Sequence, residues 1–89
     1  MDVLLLTEEQ CSLCEHAKRV LDRLAMEYPL SVTALALASP EGRALAERSG
    51  ILFPPGILLG GEPFSYGRLS ERKLRRELDR RLAARERRR

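Results

Sequence analysis

The sequence of 89 residues has no tryptophan, a single histidine and only two cysteines. Two cysteines are too few for the disulfide framework of a small secreted protein. A closed structural zinc site needs four protein ligands, and one histidine with two cysteines in a single chain cannot supply them. Both classes are therefore excluded, and we expect no metal site within a monomer.

Long apolar runs are also missing. No segment approaches the roughly 18 consecutive apolar residues that a transmembrane helix needs. Met1 and Asp2 are followed by only four apolar residues, too few for the apolar region of a secretory signal peptide. We therefore expect a cytoplasmic protein with no membrane partner.

The length and the hydrophobic fraction of 44% fit one globular domain and leave no room for a second core. We expect a single monomeric domain over residues 1–89, with a frayed arginine-rich end at 85–89. Residues 68–89 carry 11 basic and 4 acidic side chains, whereas residues 1–67 carry 5 basic and 9 acidic ones. Such a basic end could attract nucleic acid or acidic proteins through its long-range electric field. The interspersed acids and the aromatic fraction of 4% favour a solvated helix face instead, so no nucleic-acid partner is expected.

The first half of the chain has a strand–helix–strand–helix pattern. The continuous apolar run at residues 3–6 indicates a buried strand. Residues 12–28 repeat apolar side chains at three- and four-residue spacing, which predicts an amphipathic helix ended by the following proline. Residues 30–37 favour a second strand. Ser39, followed by proline, then predicts the start of a short helix that Gly50 closes.

The second half predicts a hairpin and a last helix. Residues 57–59 and 62–66 flank Gly60-Gly61, a two-residue turn typical of a tight antiparallel hairpin. The last helix is predicted to start at Ser70 and to carry one narrow apolar stripe, formed by Leu74, Leu78 and Leu82. The first two strands must be parallel, because a helical crossover joins them.

The two cysteines occur together in Cys11-Ser12-Leu13-Cys14, which follows the first strand by a short acidic loop and opens the first helix. Unpaired backbone N–H groups and the helix dipole at this position stabilise a thiolate. The spacing brings both sulfur atoms within bonding reach, and only a thiolate attacks a disulfide effectively. We therefore predict that Cys11 attacks the substrate disulfide and that the less exposed Cys14 resolves the mixed disulfide that forms.

Other interpretations of the pair stay open. A non-catalytic binding module could share a metal ion or an iron–sulfur cluster between two chains through Cys11. The cysteines could also be inert and buried, although such cysteines seldom occur together at a helix N-terminus after a strand. His16 is expected to be a surface residue.

The run Phe53-Pro54-Pro55-Gly56-Ile57-Leu58-Leu59-Gly60-Gly61, taken with the first strand and the cysteine pair, resembles the glutaredoxin-like branch of the thioredoxin superfamily. The resemblance covers nearly the whole chain and is greatest to glutaredoxin-like small proteins of bacteria. It implies a three-layer α/β/α fold with a mixed four-stranded sheet, in the order β-α-β-α-β-β-α. It also implies thiol–disulfide oxidoreductase activity and a cis-proline beside the attacking cysteine, matched best by Pro55.

In that family the residue before the cis-proline pairs with an extended substrate through its backbone. If Pro55 is the cis residue, the pairing residue is Pro54, which has no N–H to donate. If Pro54 is the cis residue, Phe53 supplies both groups. Arg68 and Ser70, at the start of the last helix, are expected to hold an anionic part of the substrate. We expect no bound cofactor, a disulfide-containing protein or a low-molecular-weight thiol as partner, and glutathione as candidate reductant.

Overall fold

A computed structural model describes residues 1–87 as a four-stranded sheet with three helices. The strands are β1 (Asp2–Thr7), β2 (Ser31–Ala36), β3 (Gly56–Leu59) and β4 (Glu62–Tyr66), and the helices are α1 (Ser12–Ala25), α2 (Pro40–Ser49) and α3 (Glu71–Arg87). The order across the sheet is β2-β1-β3-β4. β1 is parallel to β2 and antiparallel to β3, and β3 is antiparallel to β4. The predicted element order and the parallel first pair are confirmed.

Two apolar cores lie on opposite faces of the sheet. Successive side chains of a strand point to opposite faces, and β1 therefore contributes to both cores. Val3 and Leu5 pack with α1 and α3, whereas Leu6 packs with Ala46 of α2. β3 is buried on both faces over its whole length. This arrangement confirms the predicted three layers.

Polar side chains cap α2 and α3 where the sequence predicted helix starts. The Ser39 hydroxyl accepts a hydrogen bond from the Gly42 N–H at 3.0 Å, and the Ser70 hydroxyl accepts one from the Lys73 N–H at 3.2 Å. Gly50 closes α2 with a φ of 69°. These contacts satisfy backbone groups that the helix ends would otherwise leave unpaired.

Several element ends differ from the prediction. α1 ends at Ala25 and not near Tyr28, because Met26 and Glu27 donate to carbonyls three residues earlier and turn the chain. β2 is one residue shorter at each end than the predicted 30–37. The last helix begins one residue after its cap, at Glu71.

The predicted frayed end at 85–89 is helical as far as Arg87, and residues 88 and 89 lie outside the described part of the chain. The physical reason is composition, because arginine and glutamate are strong helix formers, and the segment continues a helix whose preceding residues are leucine and alanine. None of the helices within residues 1–87 has the length and apolar character needed to cross a membrane.

Candidate active site

Cys11 and Cys14 lie at the N-terminus of α1, with their sulfur atoms at disulfide-bonding distance and their Cα atoms 5.2 Å apart. Cys11 occupies the N-cap position, where its backbone is extended. Its Sγ atom accepts a hydrogen bond from the Cys14 N–H at 3.1 Å. A sulfur thus stands where serine or aspartate oxygen usually caps a helix. The N-terminus of α1 therefore donates directly to the sulfur that is predicted to attack.

The two cysteines differ in exposure. Cys14 is completely buried, at 0% exposed surface, whereas Cys11 is partly exposed. Cys11 is therefore the more accessible of the two cysteines to a substrate in solvent. The predicted lower exposure of Cys14 is confirmed.

The loop between β1 and α1 is acidic and exposed. Glu8, Glu9 and Gln10 all face solvent. Gln10 has a φ of 52°, in the left-handed region that residues other than glycine seldom adopt. Gln10 directly precedes Cys11, so the chain turns at Gln10 and Cys11 follows at the start of α1.

The sheet register brings two further segments to this end of the molecule. The first residue of β3 pairs with Leu6, near the end of β1, and with Tyr66, at the end of β4. Two segments therefore lie at the same end of the sheet as the loop between β1 and α1. They are residues 53–55, which precede β3, and residues 67–70, which follow β4. Five of the six site residues predicted from the sequence belong to these segments, namely Cys11, Pro54, Pro55, Arg68 and Ser70, and the sixth, Cys14, lies in the first turn of α1.

Pro54 and Pro55, here called the proline loop, are joined by a backbone hydrogen bond to the segment that follows β4. The peptide bond between Pro54 and Pro55 is cis. Pro55 is buried, and its carbonyl accepts a hydrogen bond from the Gly67 N–H at 2.8 Å. Pro54 is partly exposed. Because proline has no N–H, Pro54 can offer only its carbonyl to a chain that approaches the loop.

Arg68 and Ser70 differ in the interactions that their side chains form within the protein. Arg68 is exposed and forms no ion pair with any residue in 1–87, so its guanidinium is open to an anionic group. The Ser70 hydroxyl accepts the capping bond from Lys73. It keeps its own hydrogen for donation.

An exposed apolar patch beside the proline loop was not foreseen from the sequence. Its members, here called the apolar rim, are Leu52, Phe53 and Tyr66, with exposed fractions of 76%, 51% and 40%. The rings of Phe53 and Tyr66 pack edge to face with their centroids 4.9 Å apart. Grouped, exposed apolar side chains of this size mark interaction surfaces. The apolar character of Leu52 and Phe53 did not indicate exposure, because apolar residues just before a predicted strand are equally typical of a buried segment.

His16 differs from the expectation of a surface residue. It is partly buried, and its Nδ1 atom has no hydrogen-bond partner among the described residues. The reason is its position on α1, two residues after the buried Cys14 and one before the buried Ala17. Within residues 1–87, no group of three or more His, Cys, Asp or Glu side chains is placed to hold a metal ion.

Ion pairs connect α1, which carries the cysteines, to α3. Arg23 contacts Glu71 at 2.6 Å, and Arg75 contacts Glu27 at 2.8 Å and Glu71 at 3.3 Å. These four residues are called the α1–α3 clamp. Hydrogen bonds from Arg75 lower the pKa of Glu27, and hydrogen bonds from Arg23 lower the pKa of Glu71. The clamp therefore fixes α1 through charged forms of both carboxylates.

Among solved structures, a mutant thioredoxin from Halobacterium salinarum NRC-1 is similar to this chain, with a TM-score of 0.66 and 21% sequence identity. The match covers 88% of this chain and 71% of the thioredoxin chain. The chain has a thioredoxin-like fold. No protein-family model and no curated protein matches the sequence.

Proposed function

We propose that this protein is a thiol–disulfide oxidoreductase of the glutaredoxin-like type, acting through Cys11 and Cys14. One observation carries the proposal. The partly exposed Cys11 sulfur receives a hydrogen bond from the N-terminus of α1, and the fully buried Cys14 lies at disulfide-bonding distance behind it. Disulfide exchange of this kind uses one accessible cysteine that attacks the substrate disulfide and a second, protected cysteine that resolves the mixed disulfide.

In the proposed reaction the reduced pair transfers two electrons to a substrate disulfide. The Cys11 thiolate attacks one substrate sulfur, which forms a mixed disulfide and releases the other substrate sulfur as a thiolate that takes up a proton. Cys14 then loses its proton and attacks the Cys11 sulfur. The Cys11–Cys14 bond forms, and the second substrate thiol leaves. Two molecules of a low-molecular-weight thiol, for which we propose glutathione, reduce the pair again and become a disulfide themselves.

The surroundings of Cys11 support a disulfide-containing protein as the substrate. An extended chain lying along residues 53–55 can donate to the Pro54 carbonyl but receives no hydrogen bond from Pro54. Apolar contact with the rim at Leu52 and Phe53 then supplies a larger share of the binding. Arg68 is placed to meet a carboxylate of the same substrate, with the Ser70 hydroxyl beside it. A dithiol of this kind remains reduced in the cytoplasm, which is the compartment that we propose.

The test is a redox titration of the protein in glutathione buffers, read by mass spectrometry. The wild type is expected to lose and regain two hydrogens reversibly as the Cys11–Cys14 bond closes and opens. The Cys14→Ser variant should accumulate a mixed disulfide with glutathione on Cys11, because no thiol is left to resolve it. The matched Cys11→Ser variant should form none, because its remaining thiol is buried.

The same samples discriminate the alternative. A protein that forms neither the intramolecular nor the mixed disulfide, and that purifies with stoichiometric metal or visible colour, would be a binding module sharing a metal or cluster through Cys11. Retention of that metal in Cys14→Ser with loss in Cys11→Ser would identify Cys11 as the ligand.

A further inference from the structure

Four exposed cations lie at the start of α3 and just before it. They are Arg68, Arg72, Lys73 and Arg76, here called the basic patch. Arg72 and Arg76 are one helical turn apart, and Lys73 is a neighbour of both on the helix surface. None of the four forms an ion pair within residues 1–87. Their charges are therefore available to a partner.

Acidic side chains on the same stretch of helix do not cancel the basic patch. Glu71 is held by the arginines of the α1–α3 clamp, whose four charges balance. Glu77 pairs with the next two arginines of α3. Between residues 71 and 79, only Asp79, which accepts a hydrogen bond from the Tyr28 hydroxyl, brings an unbalanced negative charge. Four positive charges against one leave an excess of three on this surface.

The basic patch lies on one side of the proline loop, and free negative charge lies on the other. β3 stands between β1 and β4 in the sheet. The proline loop leads into β3, the loop with Glu8 and Glu9 follows β1, and Arg68 follows β4. Glu8 and Glu9 are exposed and form no ion pair within residues 1–87. The proposed site is therefore bordered by opposite charges on its two sides.

We propose that the basic patch binds an acidic segment of the substrate protein, beside the disulfide that Cys11 attacks. The inference rests on the proposed function and names the kind of substrate that this site selects. An acidic segment that lies over α3 meets the patch, whereas the same segment on the other side of the proline loop meets Glu8 and Glu9. Charge complementarity of this kind speeds the encounter and fixes the orientation of the partner. The patch therefore selects both the substrate and the way in which it docks.

The composition of α3 favours an acidic protein over other anionic partners. A helix that binds a membrane surface needs apolar side chains on its outer face, but Leu74 and Leu78 are buried in the core. Single-stranded nucleic acid binds by stacking on aromatic side chains, and residues 68–87 contain none. Beyond Arg76 the next two arginines are held by Glu77. The free cations thus form a short patch, which suits a short acidic segment better than a long polyanion.

The test measures the rate at which the prereduced protein reduces peptide disulfides of equal length that differ only beside the cysteine, where they carry aspartate, serine or lysine. At low salt the wild type should reduce the aspartate peptide about tenfold faster than the serine peptide, and added salt should remove the difference. The double variant Arg72→Glu/Arg76→Glu should prefer the lysine peptide instead. Arg43→Glu/Arg48→Glu is the matched control, because it makes the same change of net charge on α2, on the other face of the sheet. It should keep the wild-type preference.

The serine peptide separates this inference from the proposed function. If the wild type reduces the serine and aspartate peptides equally fast, or if both double variants lose the preference, the inference is wrong and the oxidoreductase activity stands. If the wild type reduces no peptide, the proposed function fails and the inference fails with it. Binding to a DNA duplex or to phosphatidylserine vesicles at physiological salt, lost in Arg72→Glu/Arg76→Glu, would assign the patch to that partner and overturn the inference.

Discussion

At the scale of single residues, Gly67 links the proline loop to the apolar rim. Its φ is 78°, and its N–H donates to the Pro55 carbonyl. A Cβ atom added at this position would lie 2.7 Å from Cε2 of Phe53. The Phe53 ring therefore rests on the bare backbone of Gly67, and the hydrogen atom of glycine is needed for that contact.

We predict that Gly67→Ala lowers both stability and activity. The left-handed backbone costs an alanine about 1–2 kcal/mol, and displacement of Phe53 adds to this loss. Gly61→Ala is the matched control, because Gly61 has a φ of 85° but no atom within 4 Å of an added Cβ. In urea unfolding both variants should lose about 1 kcal/mol or more, with the larger loss in Gly67→Ala. Only Gly67→Ala should lower kcat/KM for a protein disulfide. Equal losses of stability with unchanged kcat/KM would contradict the role assigned to the Phe53 contact.

At the scale of secondary-structure elements, the α1–α3 clamp holds the helix that carries the cysteines. Its charged groups are separated by 48 residues in the chain and meet at 2.6–2.8 Å. Arg75 is central, because it contacts Glu27 in the turn that follows α1 and Glu71 on α3, and also lies over the Tyr28 ring. Most of the groups are exposed, so the clamp depends on salt.

Replacement of Arg75 by methionine should weaken this connection while keeping the length of the side chain. We expect a fall in melting temperature of about 2–5 °C at low salt, and a smaller fall at high salt. Arg76→Met is the control, because Arg76 is exposed and forms no ion pair within residues 1–87. A drop of the same size in both variants, or one that salt leaves unchanged, would show that the ion pairs do not connect the helices.

Local signals in the sequence were sufficient to predict the elements. Three- and four-residue periodicity located α1, a serine and a glycine bounded α2, and the paired glycines located the β3–β4 hairpin. The cysteine pair was likewise identified from its position after a strand. The clamp and the apolar rim could not be predicted, because both depend on which distant side chains approach each other and on which apolar side chains remain exposed. The end of α1 was misplaced because the turn at Met26 depends on backbone hydrogen bonds that have no sequence signature.

At the scale of the whole molecule, carboxylates that are ionised in the folded state make stability depend on pH. Hydrogen bonds from Arg80, and next from Arg81, lower the pKa of Glu77 from 4.5 to about 2. A lowered pKa in the folded state means that the unfolded chain binds protons first as the pH falls. The contribution of Glu77 is therefore complete above pH 4.5 and is lost as the pH falls towards 2. The lowered pKa values of Glu27 and Glu71 act in the same direction.

Glu77→Gln should consequently be less stable than wild type at neutral pH, and the difference should shrink as the pH falls through this window. Denaturant unfolding measured from neutral pH to pH 2 is the direct check. Glu47→Gln serves as control, because Glu47 is exposed and has no ion-pair partner in the described chain, and it should follow the wild-type curve. A Glu77→Gln deficit that persists undiminished at the lowest pH would assign the loss to packing.

The β3–β4 hairpin lies at the far end of the sheet from the cysteines, since Leu59 pairs with Val3 near the start of β1. Its tip at Gly61 is exposed, and a Cβ atom added there would have no neighbour within 4 Å. The proposed site and the exposed hairpin tip therefore lie at opposite ends of the sheet, and the tip is available for attachment. A surface anchor or a dye joined at this tip would orient every molecule on a support with its Cys11 sulfur towards solution, so electron exchange could be followed on an immobilised layer without blocking the approach of a substrate.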